Sequence, residues 1–384
     1  MKILMIHNYY VLRGGEDVVF EQELAHLKKA HDVEALVFYN KTGWKGALEF
    51  VCSIWNILAA SRLRNKIKSF KPEVIHVHNF HFSSGPILIR TAKKMNVPLV
   101  LTLHNYRLLC PSATLMHEGK VFTESLSQNF PWKAVKKKVY RGSILATFWL
   151  ALTFWFHRKI GTWKQVDRYI ALTEFSKNLF LSSKLNVDAM RMVVKANFVE
   201  KLEAHLNLNL NSSSFLFVGR LSQEKGIHIL LVAFKDCDAV LNIVGDGPLG
   251  ELVCQASSAG KNIHYLGNLK SAEVRQVMAQ STALIVPSIW YEGMPMTILE
   301  AFSLGLPVLA SNIGALSTMI NHGHNGLHFV AGDSASLISC VKYWASLSPK
   351  RKMDFSEAVY RNYLGNYTPE ENIRQLVKIY QTRH

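Results

Sequence analysis

WYEGMPMTILEAFSLGLP, residues 290–307, lies between two short apolar runs, ALIVPS (283–288) and PVLAS (307–311). The runs have strand length, and the segment between them has helix signals. Glu292-Gly293 forms a turn, Pro295 sits near the first helical turn, Gly305 follows the last, and Pro307 stands just beyond. The reading is strand, turn, helix over 295–304, strand. That unit belongs to a parallel, doubly wound α/β sheet.

Within the unit, Glu292 falls in the turn at a strand's carboxyl end and Glu300 about two turns into the helix. A helix N-terminus after a glycine-containing turn presents N–H groups and a favourable dipole to an anion. A carboxylate beside such a site repels phosphate and suits hydroxyls instead. The combination points to a nucleotide-sugar, with phosphates on amides and cations and with ribose or sugar hydroxyls on the glutamates. A lone pair of glutamates at this spacing is ordinarily a cap and a solvated helix residue, so the surrounding motifs carry the weight.

The rest of the chain repeats the pattern. Strands are expected at 3–7, 33–39, 74–78, 99–103 and 167–172, with helices at 16–30 and 53–70 between them. His7, His78 and His104 stand at the ends of three of these strands, the edge at which open α/β sheets bind ligands. They can hydrogen-bond phosphates or sugar hydroxyls, and a histidine satisfied by neighbouring backbone is an equally good reading of any one of them. Gly14-Gly15 precedes the first helix as a plain turn or a weak anion loop. Residues 202–214, LEAHLNLNLNSSS, read as a linker. A second alternation follows. Strands are expected at 215–221, 239–244, 262–266, 283–288 and 307–311, helices at 225–234 and 271–280, and an amphipathic helix at 368–380. Arg220 and Lys225 leave the first strand of this half, two cations where a diphosphate leaving group needs charge. Asp236-Cys237-Asp238 is formally a D-x-D, but it lies far from these motifs and no metal role is assigned to it.

The chain has 384 residues, enough for two domains, with 49% hydrophobic and 19% charged residues, a globular balance. Five cysteines, widely spaced and odd in number, indicate neither a disulfide framework nor a zinc site, and fit a reducing cytoplasm. The net charge of +16 is concentrated: residues 1–200 carry 29 Lys or Arg and 14 Asp or Glu, the remainder 15 and 14. The first half therefore favours an acidic partner. Residues 133–141, KAVKKKVYR, lead into the apolar run ILATFWLALTFWF, 144–156. That run is too short to span a bilayer. It reads either as a core helix behind a solvated basic face or as a helix lying on an anionic membrane face.

Taken together, GRLSQEKG (219–226), GDGP (245–248) and EGMPMTILE (292–300) resemble the retaining glycosyltransferases of family 4, in order and in spacing. GGEDVV (14–19), VIHVHNF (74–80), LTLHNYRLLCPS (101–112) and NFVE (197–200) extend the resemblance over nearly the whole chain. It implies the α/β GT-B fold, two Rossmann-like doubly wound domains facing a central cleft. Residues 1–200 would bind the acceptor, 201–365 the nucleotide-sugar, and 366–384 would form a helix returning to the first domain. By the same resemblance Arg220 and Lys225 hold the donor diphosphate and Glu300 holds the ribose. Glu292, with the amides of Gly293 and Met294, meets the donor sugar, and His104 lies beside the anomeric centre. Gly14 and Gly15 approach donor or acceptor, and Gly245, Gly247 and Pro248 line the nucleotide pocket. Relatives often carry further cysteines ten to fifteen residues after the HNYR-x-x-CP segment; here only Cys110 stands, so no metal or disulfide role is expected there.

The expected activity is metal-independent, retaining hexosyl transfer from a UDP- or GDP-sugar, with no cofactor, to a glycan or a polyprenyl-diphosphate-linked acceptor. Such a step suits capsule, lipopolysaccharide or exopolysaccharide assembly at the cytoplasmic face of an anionic membrane. Two alternatives stand beside it. One is a nucleotide-sugar epimerase or phosphorylase of the same fold. The other is a non-enzymatic basic protein binding membrane or nucleic acid, which leaves the motifs of the second half without a role; no nucleic-acid partner is assigned.

Overall fold

A computed structural model describes residues 1–11, 13–201, 208–235 and 237–382. The chain divides into two compact units, Met1–His117 with Phe122–Asn197 and Asn372–His384, and Glu118–Val121 with Phe198–Glu371. Each is built on one six-stranded parallel sheet.

In the first unit β1 (Lys2–Tyr9), β2 (Asp32–Tyr39), β3 (Val74–Val77), β4 (Leu99–Leu103), β5 (Arg168–Ala171) and β6 (Met192–Val194) lie in the order β2-β1-β3-β4-β5-β6. Strands β3, β4 and β5 are buried along their whole length. That follows from helices covering both faces, and it is why these strands are mostly apolar, broken only by His76, Thr102 and Arg168. The core joins Ile3 and Met5 of β1 to Phe20 and Leu27 of the helix Gly15–Leu27, and includes Leu376 and Tyr380 from the helix Pro369–Gln381. Each such side chain contributes about 1.5–3 kcal/mol of burial.

In the second unit β7 (Ser214–Val218), β8 (Val240–Val244), β9 (Ile263–Tyr265), β10 (Ala283–Val286), β11 (Val308–Ser311) and β12 (Gly326–Phe329) repeat the topology as β9-β8-β7-β10-β11-β12. Its core packs Phe215, Phe217 and Ile285 of the sheet against Leu230 and Phe234 of the helix Ile227–Lys235, with Trp344 and Phe355 behind. The Trp344 indole N–H donates to Thr282 Oγ1 at 2.9 Å, so this large aromatic is buried without an orphaned donor.

The βα alternation expected from the sequence is present, with further helices that were not expected, among them Ile87–Lys94, Glu174–Leu181, Gly250–Ala259, Ser334–Ser346 and Pro349–Asn366, and with these differences. The helix expected over 53–70 begins only at Ile57, running Ile57–Phe70, and a further helix that was not expected, Gly43–Cys52, precedes it. Asn56 divides them, its side chain accepting from the Ala59 N–H at 3.0 Å as an N-cap. Strands β6 and β12 were not expected; each is a short edge strand. Of the segment read as a linker, residues 202–207 lie outside the described residues; Leu210 is buried, and Ser214 already belongs to β7. Asp236 of the D-x-D also lies outside them. No helix among the described residues is long and apolar enough to cross a membrane. The run 144–156 forms most of the helix Ile144–Lys159, which buries Leu150, Ala151 and Phe154 and leaves Ile144 and Leu145 exposed. All five cysteines are unpaired.

Candidate functional site

In a doubly wound sheet the strand order reverses at one point, and the loops leaving the strands there open a crevice. In the second unit that point lies between β7 and β10. The loop after β7 carries Arg220 and Lys225; the loop after β10 carries Glu292, Gly293 and Met294. Gly226, at φ +76°, holds the two loops together: a Cβ there would land on the Pro287 carbonyl oxygen, and the conformation itself is left-handed. Across this contact the Ile289 N–H donates to the Glu224 carbonyl at 3.0 Å.

The close approach brings Lys225 onto Glu292. The ammonium Nζ is 2.7 Å from Oε1, and the Ser288 hydroxyl donates to the same oxygen at 2.6 Å. Nζ also lies 5.6 Å from the centre of the Trp290 ring. Glu292 is only 4% exposed. A carboxylate that deep calls for a cation and a hydrogen bond, and it has both. Arg220, by contrast, is exposed and has no ion-pair partner among the described residues. Glu300 is the fifth residue of the helix Met296–Leu304, whose N-terminus no side chain caps. Burial raises its carboxyl above the usual range, and Arg275 opposes the rise.

Gly245, Gly247 and Pro248 follow β8 and close against the same β7 loop. The Gly219 N–H donates to Val244 O at 3.0 Å, and the Leu221 N–H to Asp246 O at 2.9 Å, one on each side of Arg220. Gly245 N–H donates to Gly267 O, and the Tyr265 hydroxyl donates to Gly245 O. Gly245 has φ +137°, and a Cβ on it would strike the Gly219 carbonyl oxygen. The glycines therefore serve a backbone-on-backbone approach that fixes where Arg220 leaves the sheet. Every residue to which the resemblance gives a role in this half falls on loops at the carboxyl edge of β7, β8 and β10, or on the helix after β10. Of them, Lys225 and Glu292 are in direct contact.

In the first unit the reversal lies between β1 and β3. His7 belongs to β1, His78 follows β3 and His104 follows β4. The His78 and His104 rings meet, Nδ1 to Nε2, at 3.1 Å. His78 Nε2 lies 3.3 Å from Glu23 Oε2, and the other oxygen of Glu23 accepts from the Lys195 ammonium at 2.6 Å. His7 Nε2 is 2.6 Å from Asp17 Oδ1, while Asp17 Oδ2 accepts from the Gly14 N–H at 2.8 Å. Gly14 is thus the cap of the first helix, with Gly15 its first residue. Glu23, His76 and His78 place ligand atoms within 4.8 Å of one another, as a metal site would. Other groups already engage them: His76 meets Thr102 and Tyr380 at 2.8 and 2.7 Å, and Glu23 holds the Lys195 ammonium.

Sequence reasoning did not find Asp17, Glu23 and Lys195. One signal was available: Phe20, Glu23 and Leu27 lie on one face of the helix at i, i+3 and i+7, which sets an acid in an apolar stripe.

His7, His104 and His157 stay neutral near pH 7. Burial lowers His7 to about 4 against the Asp17 hydrogen bond, and lowers His157 to about 4 against its bond to the Ile54 carbonyl. Burial, with the neighbouring His78, also takes His104 well below its usual range. An unfolded histidine binds its proton near 6.5, a folded one here only near 4. Stability is therefore full above pH 6.5 and falls as the pH drops from 6.5 through 4, by about 3 kcal/mol for His157 alone. Thermal unfolding is expected at a distinctly lower temperature at pH 4.5 than at 7.5; equal transitions would refute this account.

Comparison with known proteins agrees with the two-unit construction. D-rhamnosyltransferase WbpZ of Pseudomonas aeruginosa is 34% identical over 169 residues, which spans 42% of this chain and 44% of the relative. The UDP-Gal:alpha-D-GlcNAc-diphosphoundecaprenol alpha-1,3-galactosyltransferase of Escherichia coli is 28% identical over 304 residues, 72% of this chain and 67% of the relative. The crystal structure of Anabaena HepE in complex with UDP superposes with a TM-score of 0.68 at 17% identity, covering 98% of this chain and 99% of that one, a likeness of fold. Residues 21–201 match the Glycosyltransferase Family 4 domain and residues 198–362 the Glycosyl transferases group 1 domain. The chain belongs to the glycosyltransferases of the GT-B fold, a family 4 domain followed by a group 1 domain.

Proposed function

We propose that the enzyme transfers a hexose, with retention and without a metal ion, from a UDP- or GDP-sugar to a hydroxyl of a glycan or polyprenyl-diphosphate-linked acceptor. The place proposed for it is the cytoplasmic face of the membrane, in the assembly of a surface polysaccharide. The observation that carries this reading is the Lys225–Glu292–Ser288 cluster at the switch point of the second sheet, with exposed Arg220 on the same loop as Lys225. It sets cations for a diphosphate next to a carboxylate suited to sugar hydroxyls. The UDP in HepE and the UDP-galactose and diphosphoundecaprenol named for the Escherichia coli relative support the donor and acceptor classes.

In this reading the bond from the anomeric carbon to the diphosphate oxygen loosens first. Arg220, Lys225 and the N-terminus of the helix Met296–Leu304 stabilise the departing charge. The acceptor hydroxyl attacks from the same face and gives its proton to the leaving phosphate. Glu300 receives the ribose hydroxyls. Glu292, with the amides of Gly293 and Met294, orients the donor sugar. His104 is assigned to the donor sugar by the resemblance alone; being neutral, it offers one donor and one acceptor to hydroxyls.

Calorimetry against UDP-, GDP-, ADP- and dTDP-sugars, with a chelator present, tests the reading. One nucleotide class is expected to bind without metal, and Arg220→Ala to weaken it at least tenfold. Failure of every nucleotide at millimolar concentration would overturn it.

A further inference from the structure

The first unit carries a feature that the donor chemistry leaves unused. A cavity of about 720 Å³ opens beside the helix Gly43–Cys52, walled chiefly by Val11, Phe50, Val51, Phe82, Tyr140 and Ala146. No residue of that helix is fully buried, although Trp44, Leu48 and Val51 stand on it at 73%, 56% and 50% exposure. An apolar helix face left in water beside an apolar cavity marks a binding surface for something apolar.

The rim tells what kind. Lys41 at the mouth is neutralised by Glu49, 3.1 Å away. Lys133 and Lys137 of the basic run are paired with Glu124. Arg141 has no carboxylate partner among the described residues, and its guanidinium stacks 5.3 Å from the Tyr140 ring. The guanidinium of Arg107 lies 5.5 Å from the same ring and 5.1 Å from Phe82, and its buried Nε has no hydrogen-bond partner. Arg141 thus lines the slot beside its aromatic wall, while Arg107 lies behind that wall and donates to the Pro111 carbonyl. Guanidinium groups bind phosphates, as they bind carboxylates, through paired N–H donors.

We propose that this pocket takes the hydrocarbon chain of a polyprenyl-phosphate-linked acceptor, with its phosphate held by Arg141. The proposal rests on the transferase reading for its role and narrows that reading to a lipid-linked acceptor. The volume suits one chain segment in a slot, and the exposed face of Trp44, Leu48 and Val51 continues it toward the lipid surface from which the chain would come.

Farnesyl diphosphate, a soluble isoprenyl diphosphate, is the probe, titrated into the full chain by calorimetry with inorganic diphosphate as comparison. Farnesyl diphosphate is expected to bind at least tenfold more tightly. Ala47→Trp, at an exposed position lining the cavity, is expected to abolish that advantage, and Arg141→Ser to weaken both ligands several-fold. UDP binding should be unchanged in either variant. Equal binding of the two diphosphates, or an advantage that survives both Ala47→Trp and Ala146→Trp, would overturn the pocket. If the variants alter only binding to phosphatidylcholine–phosphatidylglycerol vesicles (7:3), the face is a membrane contact and the proposal fails. Failure here with nucleotide binding intact sinks the pocket alone; loss of all nucleotide binding sinks the transferase reading, whatever farnesyl diphosphate does.

Discussion

Replacement of Lys195 by methionine is expected to lower the stability of the fold by about 3–5 kcal/mol. The ammonium is 2% exposed and lies 2.6 Å from Glu23, itself 1% exposed. Burial opposes ionisation of Glu23, yet Lys195, assisted by His78, holds its carboxyl well below the usual range. With the cation gone, the same burial leaves an uncompensated charge, and Glu23 either takes up a proton or opens the core. The comparison that isolates the cause is Glu23→Leu with Lys195→Met, which removes both charges and is expected to recover most of the loss. Urea midpoints of the single and double variants measure it. A midpoint unchanged in Lys195→Met would refute the account, and a double variant no better than the single would place the cost in packing instead. Because the Glu23 carboxyl is depressed, the pair's contribution is present above the carboxylate range and is lost only as the pH falls through that lowered value. It is thus separate from the histidine effect between pH 6.5 and 4.

The second large effect is expected at Lys225. Lys225→Met should reduce kcat by about 10²–10³-fold, the magnitude found when a group stabilising transition-state charge is removed. Two consequences overlap at this residue: in the proposed mechanism the leaving diphosphate loses a cation, and in the structure Glu292 loses the partner 2.7 Å away. They separate in a cycle with Glu292→Gln. If the pairing matters chiefly to the fold, the double variant regains thermal stability and remains inactive. If Lys225 acts only by neutralising Glu292, the double variant regains turnover as well, and the role proposed for Lys225 as a phosphate-binding cation falls. Donor turnover and the unfolding temperature of the four proteins decide between these.

Much of this architecture is written in short-range patterns. Parallel strands covered on both faces become brief apolar runs, so β3, β4, β10 and β11 can be read from four or five residues each. Edge strands need fewer apolar residues, and β6 and β12 carried no comparable signal. The helix after β10 announces itself through Pro295 and Gly305, and Gly305 does take the left-handed φ of +78°. At the candidate site the loop residues of the second unit were legible because glycine and charge cluster together there. The contact between Lys225 and Glu292 was not, because it joins residues on different strands through the Gly226–Pro287 approach. The network of Asp17, Glu23 and Lys195 depends in the same way on which helix face turns inward and on a residue far along the chain. The apolar pocket was hidden because the helix beside it, Gly43–Cys52, lies before the span 53–70 in which a helix was expected.

The first unit is discontinuous: Leu376 and Tyr380 complete a core whose other members lie before Asn197. Synthesis runs from the N-terminus, so the sheet of this unit leaves the ribosome while the segment that covers it has yet to be made. Until then His76 lacks the Tyr380 hydroxyl and the Ala196 carbonyl lacks the Asn372 amide. The second unit has no such wait, since Phe198–Glu371 emerges as one piece apart from the short segment Glu118–Val121. Vectorial folding in the cell would therefore finish the C-terminal unit before the N-terminal one, with an apolar sheet face in need of temporary shelter meanwhile.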